Sequence, residues 1–212
     1  MPMGNQMPSL LIIACGALSR EIKALISANA WTDVRLECLP ADLHNRPEKI
    51  PAAVSEKLSQ VSRGTRVLVA YGDCGTGGRL DKVLEEQGVE RLPGAHCYDI
   101  YAGESVMAAL SEQEPGTFYL TDFLVRHFDR LVIRELGLVK HPELTSVYFA
   151  HYKRLVYLSQ CPGAELEALA YQAAEKLQLP LEIRNTGFGS LETTLIRLVG
   201  QAGMGSTDRE ET

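Results

Sequence analysis

The chain has 212 residues, 45% of them hydrophobic and 23% charged, which is enough for one well-buried core and marginal for two. Its formal net charge of −6, from 21 Lys and Arg against 27 Asp and Glu, leaves no cationic excess to displace phosphate counterions, so no nucleic-acid partner is expected. No stretch reaches the ~18 apolar residues of a membrane span, and the opening "MPMGNQMP" has no basic-then-apolar leader pattern, so the expectation is a cytoplasmic protein with no membrane partner.

Short β-rich runs alternate with segments of helical period along the chain. "SLLIIA" (9–14) reads as a buried strand, followed by a helix from about Ser19 with Ile22, Leu25 and Ile26 on one face. "VRLECL" (34–39) is a second strand. The loop "PADLHNRPEKIP" leads to a helix through Val54, Leu58 and Val61, then to a third strand, "TRVLVAY". After "GDCGTGG" the helix "RLDKVLEEQG" closes at Gly88. "VERLPGAHCYD" predicts a short strand and loop, and "AGESVMAALSEQ" a helix that stops before Pro115. "GTFYL" is a fifth strand, and Thr121 or Asp122 caps a helix over 123–136 with an apolar stripe of Leu124, Phe128, Leu131 and Val132. The remainder reads as a helix in "ELTSVYFAHY", a strand "RLVYLS", a helix "AELEALAYQAAEKLQ", a strand "LEIRN" and a helix "LETTLIRLV".

This βαβα order predicts an α/β fold: a mainly parallel sheet with helices on both faces, Rossmann-like and doubly wound. The expected organisation is one domain over residues 1–200 and a disordered tail over 201–212, because "QAGMGSTDREET" is small and polar.

The five cysteines are an odd, scattered set with no C-x-x-C pair, which disfavours both a disulfide framework and a zinc ribbon. In open parallel sheets, ligands collect at the carboxyl ends of strands. Cys15 follows strand one, His44 and Arg46 follow strand two, Asp73 and Cys74 follow strand three, and His96, Cys97, Tyr98 and Asp99 follow strand four. The hypothesis is that Cys15, Cys74 and Cys97 converge as three thiolates, with His44 or an exogenous ligand completing the set. Zinc suits such a set, and an iron–sulfur cluster with one open iron competes with it. His96 and Cys97 are adjacent, so a regular strand would point them to opposite faces, and Cys97 is preferred. Cys38 lies within a strand and reads as core. Cys161, at another strand end, ranks below the three.

Two other readings stay open for these thiols. Free cysteine is often a small buried hydrophobe. Alternatively, Cys15 or Cys74 just before a helix could be a nucleophile of lowered pKa, with His44 or His96 as base. The loop glycines Gly75, Gly77 and Gly78 are candidate cofactor-binding residues, because successive amides at a helix start can cradle an anion. Glycines also serve where the backbone needs positive φ. The loop lacks G-x-x-x-x-G-K-[ST], which disfavours a nucleotide. Asp73, Tyr98 and Asp99 are the candidate catalytic residues, placed to move a proton or orient a ligand histidine. Tyr71 reads as core or as a pocket wall.

"IACGAL", "LHNRPEKIP", "YGDCGTGG", "HCYDIYAG" and "GTFYLTDFLVRHFD" resemble an uncharacterised domain-of-unknown-function family of bacteria and methanogenic archaea, over most of the chain. Some members are encountered beside corrinoid-dependent methyltransferase systems, so the resemblance implies a link to one-carbon metabolism. The expectation is therefore a metal-dependent enzyme acting on a small molecule, or else a non-catalytic accessory protein that holds a metal, a corrinoid or a small substrate. The apolar 124–132 stripe and the nearby "VYF" raise the further expectation of a homodimer, against a core-facing stripe.

Overall fold

A computed structural model describes residues 10–204 of the chain. The fold is α/β, and the chain divides into two compact units, the first reaching Ile100 and resuming at Ser190, the second spanning Tyr101–Gly189. Each unit carries its own all-parallel sheet, so the strands expected in one sheet are shared between two.

The first unit runs β1 (Leu10–Cys15), α1 (Ser19–Ala28), β2 (Val34–Leu39), α2 (Ile50–Ser59), β3 (Val67–Ala70), α3 (Arg79–Gln87), the two-residue β4 (Glu90–Arg91) and α4 (Cys97–Ala102). Its strand order is β2-β1-β3-β4. In β1, Leu11 and Ile13 face one way and pack with Ile50, Val54 and Leu58 of α2 and Leu80 and Leu84 of α3. Leu10, Ile12 and Ala14 point the other way and are equally buried. A strand covered on both faces needs an unbroken apolar run, which is what "LLIIA" supplies. Helix α3 ends where Gly88 adopts φ 63, the left-handed stop expected there.

The second unit runs α5 (Glu104–Gln113), β5 (Thr117–Thr121), α6 (Asp122–Arg126), α7 (Thr145–Tyr148), β6 (Arg154–Ser159), α8 (Ala164–Leu177) and β7 (Leu181–Asn185), with strand order β5-β6-β7. Arg154 stitches its amino end: the guanidinium donates to Thr117 Oγ1 at 2.9 Å, Glu182 Oε2 at 2.9 Å and Leu110 O at 3.0 Å, tying β5, β7 and α5 to β6.

Helix α9 (Ser190–Met204) then returns to the first unit, where Leu191 and Leu195 are fully buried and Arg66 donates to Leu198 O at 3.2 Å. Because α9 continues to Met204, residues 201–204 are helical rather than disordered; the rest of the tail expectation lies outside the described residues.

Two helices differ from the periodic reading. The 123–136 segment is broken: α6 stops at Arg126, and Asp129–Arg134 forms π-helical turns. The stripe survives the break, since Leu124, Phe128, Leu131 and Val132 are all buried. It therefore faces the core. "ELTSVYFAHY" keeps only the four-residue α7. Phe149 and Tyr152 instead pack edge-on against Phe118 of β5 with centroids at 5.4 Å, while Val147 and Tyr148 are exposed.

Candidate functional site

Strand order decides where the first sheet can bind. The chain leaves β1 for β2 on one side and returns to β3 on the other, so the loops after β1 and β3 part company. In a doubly wound sheet this reversal opens a crevice at the carboxyl ends of the two strands. Cys15 is the last residue of β1, and Tyr71 to Cys74 directly follow β3. Because all four strands are parallel, the loops carrying His44 and His96–Cys97 leave by the same edge. The second sheet runs in sequential order and has no such reversal.

Register brings Tyr71 to Cys15. Ala14 pairs with Ala70, so the next residues along each strand are neighbours, on the face shared with Leu11, Ile13 and Val69. Tyr71 is 2% exposed. Its hydroxyl lies against the Cys15 sulfur, yet no hydrogen bond of regular geometry satisfies it.

Cys74 has φ 50, a left-handed conformation that side-chain-bearing residues avoid at a cost of about 1 kcal/mol. Gly75, Gly77 and Gly78 share this region at φ 79, 62 and 76. In a loop of glycines, the one left-handed position that keeps a side chain is the cysteine. The loop is held from behind: the Cys74 amide donates to Ala95 O at 2.7 Å and the Asp73 amide to Gly94 O at 3.0 Å. Arg91 fixes that partner strand of chain by clamping Asp81 (2.5 and 3.1 Å) and donating to Gly94 O at 3.2 Å. Gly72 packs closely here, since a Cβ would stand 3.0 Å from Gly94 O and 3.2 Å from His96 N and press on that backbone.

The carboxylates among the candidate catalytic residues hold these loops in shape. Asp73 accepts from Thr76 Oγ1 at 2.7 Å, Gly78 N at 2.9 Å and Gly77 N at 3.1 Å. These bonds, the Gly78 amide foremost, hold its pKa down at about 2. Two of the three amides that a phosphate cradle would use are thus directed at the chain's own carboxylate. Asp99 Oδ2 accepts from Ala95 N at 2.8 Å and His96 N at 2.9 Å, closing the turn that starts α4. That turn is why His96 and Cys97 do not alternate as strand residues. Tyr98 stacks its ring parallel to His96 at 6.2 Å between centroids.

Cys15, Cys74 and Cys97 are all partly buried and lie within electrostatic reach of one another. Burial, reinforced by the neighbouring sulfurs, pushes Cys74 up to about 11 and Cys97 well above the ordinary thiol value; burial also raises Cys15. His44, in a 3-10 stretch over Ala41–Asn45, keeps solvent exposure. Crowding by the surrounding loops, and then the His96 imidazole, pull its pKa down. Among the described residues, no group of three or more His, Cys, Asp or Glu stands together at metal-holding spacing. Cys38 points away from this face on β2 and is exposed; Cys161 follows β6 in the second unit.

Raised pKa values have a direct chemical consequence. In metal-free protein, exposed Cys38 and Cys161 should react with a thiol reagent first. At pH 8 the Cys74 thiolate fraction is about a hundredfold below that of an ordinary thiol, and its rate should climb as pH rises toward 11. Peptide mapping of alkylated protein at pH 7, 8 and 9 reads this order; fast labelling of Cys74 at pH 7 would restore a low-pKa nucleophile.

At the carboxyl edge of the second sheet, a constellation that sequence spacing missed surrounds Asp122, which is 3% exposed. Its carboxylate accepts from Tyr157 Oη at 2.7 Å, Gln160 N at 2.9 Å and Cys161 N at 3.0 Å, while its amide donates to Gln160 Oε1 at 2.8 Å. The Thr121 hydroxyl accepts from Leu124 N at 3.4 Å, the expected cap. The sequence signal was there in part: Asp122 and Gln160 each follow a strand end, but nothing local pairs them.

Residues 38–195, well over half of the chain, match the family model described as Protein of unknown function (DUF1638). The chain belongs to the DUF1638 family. The DUF1638 match takes in His44, Tyr71, Cys74 and Cys97, while β1 with Cys15 precedes it. No curated protein and no solved structure matches the chain. Among the described residues, no helix is long and apolar enough to cross a membrane.

Proposed function

We propose that the carboxyl edge of the first sheet is a cysteine-thiolate metal site, zinc favoured, in an enzyme acting on a small molecule. Cys15, Cys74 and Cys97 supply the sulfurs, and His44 or an exogenous ligand completes the set. The observation that carries this reading is Cys74: a side chain held at φ 50 in a run of glycines, beside two other thiols at the switch point of the sheet. Backbone strain of this kind clusters at functional sites.

The raised thiol pKa values count against a bare nucleophile. A neutral thiol is a poor attacking group, whereas a metal ion can displace the proton in an exchange that becomes easier as pH rises. The sulfurs have to draw together around the ion, which the glycines flanking Cys74 permit. The lowered pKa of His44 favours the neutral imidazole, the form that ligates a metal. The link to one-carbon metabolism rests on the family resemblance, and a non-catalytic accessory protein would use the same thiols. An enzyme keeps one metal position open, and an accessory site fills all four with protein ligands.

Elemental analysis of protein purified without oxygen separates the outcomes. About one zinc per chain supports the reading, iron with matching sulfide moves it to an iron–sulfur cluster, and background metal after reconstitution with either overturns it.

A further inference from the structure

We propose that the carboxyl edge of the second sheet is an oxyanion site, in which the Arg126 guanidinium and the Ser159 hydroxyl take a carboxylate or phosphoryl group of a small molecule. The inference goes beyond the thiol reading and uses no residue of the first unit.

Two buried polar atoms of this edge have no hydrogen-bond partner, Arg126 Nε and Ser159 Oγ. Ser159, the last residue of the central strand β6, is 1% exposed. It shares a strand face with Tyr157, whose hydroxyl donates to Asp122 Oδ1 at 2.7 Å. The Ser159 hydroxyl lies against that phenol without a hydrogen bond of regular geometry, and the phenol sits in the field of Arg126. Serine, guanidinium and carboxylate are thus gathered around one tyrosine. Arg126 stands one turn after Asp122 on the same face of α6, so that carboxylate is the internal partner to expect for its charge. Asp122 is already engaged, however: Tyr157 Oη, Gln160 N and Cys161 N occupy its oxygens. Among the described residues, no ion pair includes Arg126. A half-buried guanidinium without a counter-ion and a buried hydroxyl without a partner both cost stability, and apolar side chains would avoid both costs. An oxyanion satisfies the two together. The Nε–Nη edge of arginine matches two oxygens of a carboxylate or phosphate, and a serine hydroxyl donates beside it. Water would hydrogen-bond both atoms but leave the guanidinium without a counter-ion. The way in is the loop after β6, where Cys161, Pro162 and Gly163 are exposed and a Cβ on Gly163 would meet nothing within 4 Å.

The test follows the full chain by NMR while sodium phosphate or sodium acetate is added at constant ionic strength. The Arg126 Nε–H signal is identified by its absence from Arg126→Lys. The expected result is a saturable shift of that signal and of the Ser159 amide; phosphate alone assigns a phosphoryl ligand, acetate alone a carboxylate, and both a general oxyanion site. Arg126→Lys, read at the Ser159 amide, should bind about tenfold more weakly, because a point charge replaces the fork. Ser159→Ala, read at the Arg126 Nε–H, should bind about fivefold more weakly through loss of one neutral donor. Should Arg126→Lys fail to fold, Ser159→Ala decides alone, since it removes a single oxygen. No saturable shift with either anion overturns the site, and so does native affinity in either variant.

Discussion

If the proposed thiolate site holds a metal, Cys74→Ser should lose it, and Cys15→Ser and Cys97→Ser should lose it with the same completeness. Serine offers a neutral hydroxyl of similar size where a soft ion needs a thiolate. A tetrahedral zinc site of thiolate ligands binds with apparent free energies of about 10–16 kcal/mol, so removing one of four ligands should weaken affinity by about a hundredfold or more. Metal content measured after dialysis against a weak chelator reads the loss. Cys38→Ser and Cys161→Ser serve as controls and should retain the metal, because neither side chain belongs to this face of the first sheet. Cys74→Gly separates backbone from side chain: it relieves the strain at φ 50 and should stabilise the metal-free fold by about 1 kcal/mol while still losing the metal. Unchanged metal in Cys74→Ser defeats the site. Retained metal with lost turnover would make Cys74 a nucleophile instead.

Asp122→Ala should destabilise the chain more than any other single change at a strand end. The carboxylate receives three donors, from Tyr157, Gln160 and Cys161, in a position 3% exposed. Alanine strands all three away from water, at roughly 1–3 kcal/mol each, and a total loss of about 3 kcal/mol or more is expected. It also unties the start of α6 from the end of β6, so two segments far apart in sequence lose their common anchor. Asp122→Asn keeps one acceptor oxygen and should fall between the two. Urea unfolding reads the change as a lower midpoint at unchanged slope. A variant within 1 kcal/mol of native would show that water or a rearranged Gln160 replaces the carboxylate.

Strands were the most legible elements. "LLIIAC", "VRLECL" and "RLVYLS" stand as β1, β2 and β6, because a covered parallel strand needs a local apolar run bounded by turn residues. Helices with a start and a stop signal were equally clear, as α3 shows with its closing Gly88. The 123–136 segment was not, although its stripe is real. Periodicity reports which side chains point inward, and a π-helical turn after a short α-helix can satisfy the same inward positions. "ELTSVYFAHY" failed differently, since Phe149 and Tyr152 turn away to meet Phe118, an aromatic contact from a distant strand.

At the candidate site, spacing placed Cys15, His44, Cys74 and Cys97 on loops after successive strands but was silent on their neighbours. Asp73 and Asp99 read as candidates to move a proton or orient a ligand histidine, and only the structure shows their oxygens accepting from amides of their own loops. Tyr71 looked like ordinary core because its special feature, an orphaned hydroxyl beside Cys15, depends on a cross-strand register.

The sequence by itself determined the alternation of strands and helices, their parallel pairing and hence the common edge from which the cysteine loops of the first sheet leave. Those features follow from periods of two and 3.6 residues, which are set within a few neighbours along the chain. Only the tertiary structure decided that there are two sheets, that the first runs β2-β1-β3-β4, and that Cys15 and Tyr71 are neighbours at its reversal point. Strand order and register are chosen by which apolar faces bury each other across long loops, and the same βαβ pattern is compatible with several such choices.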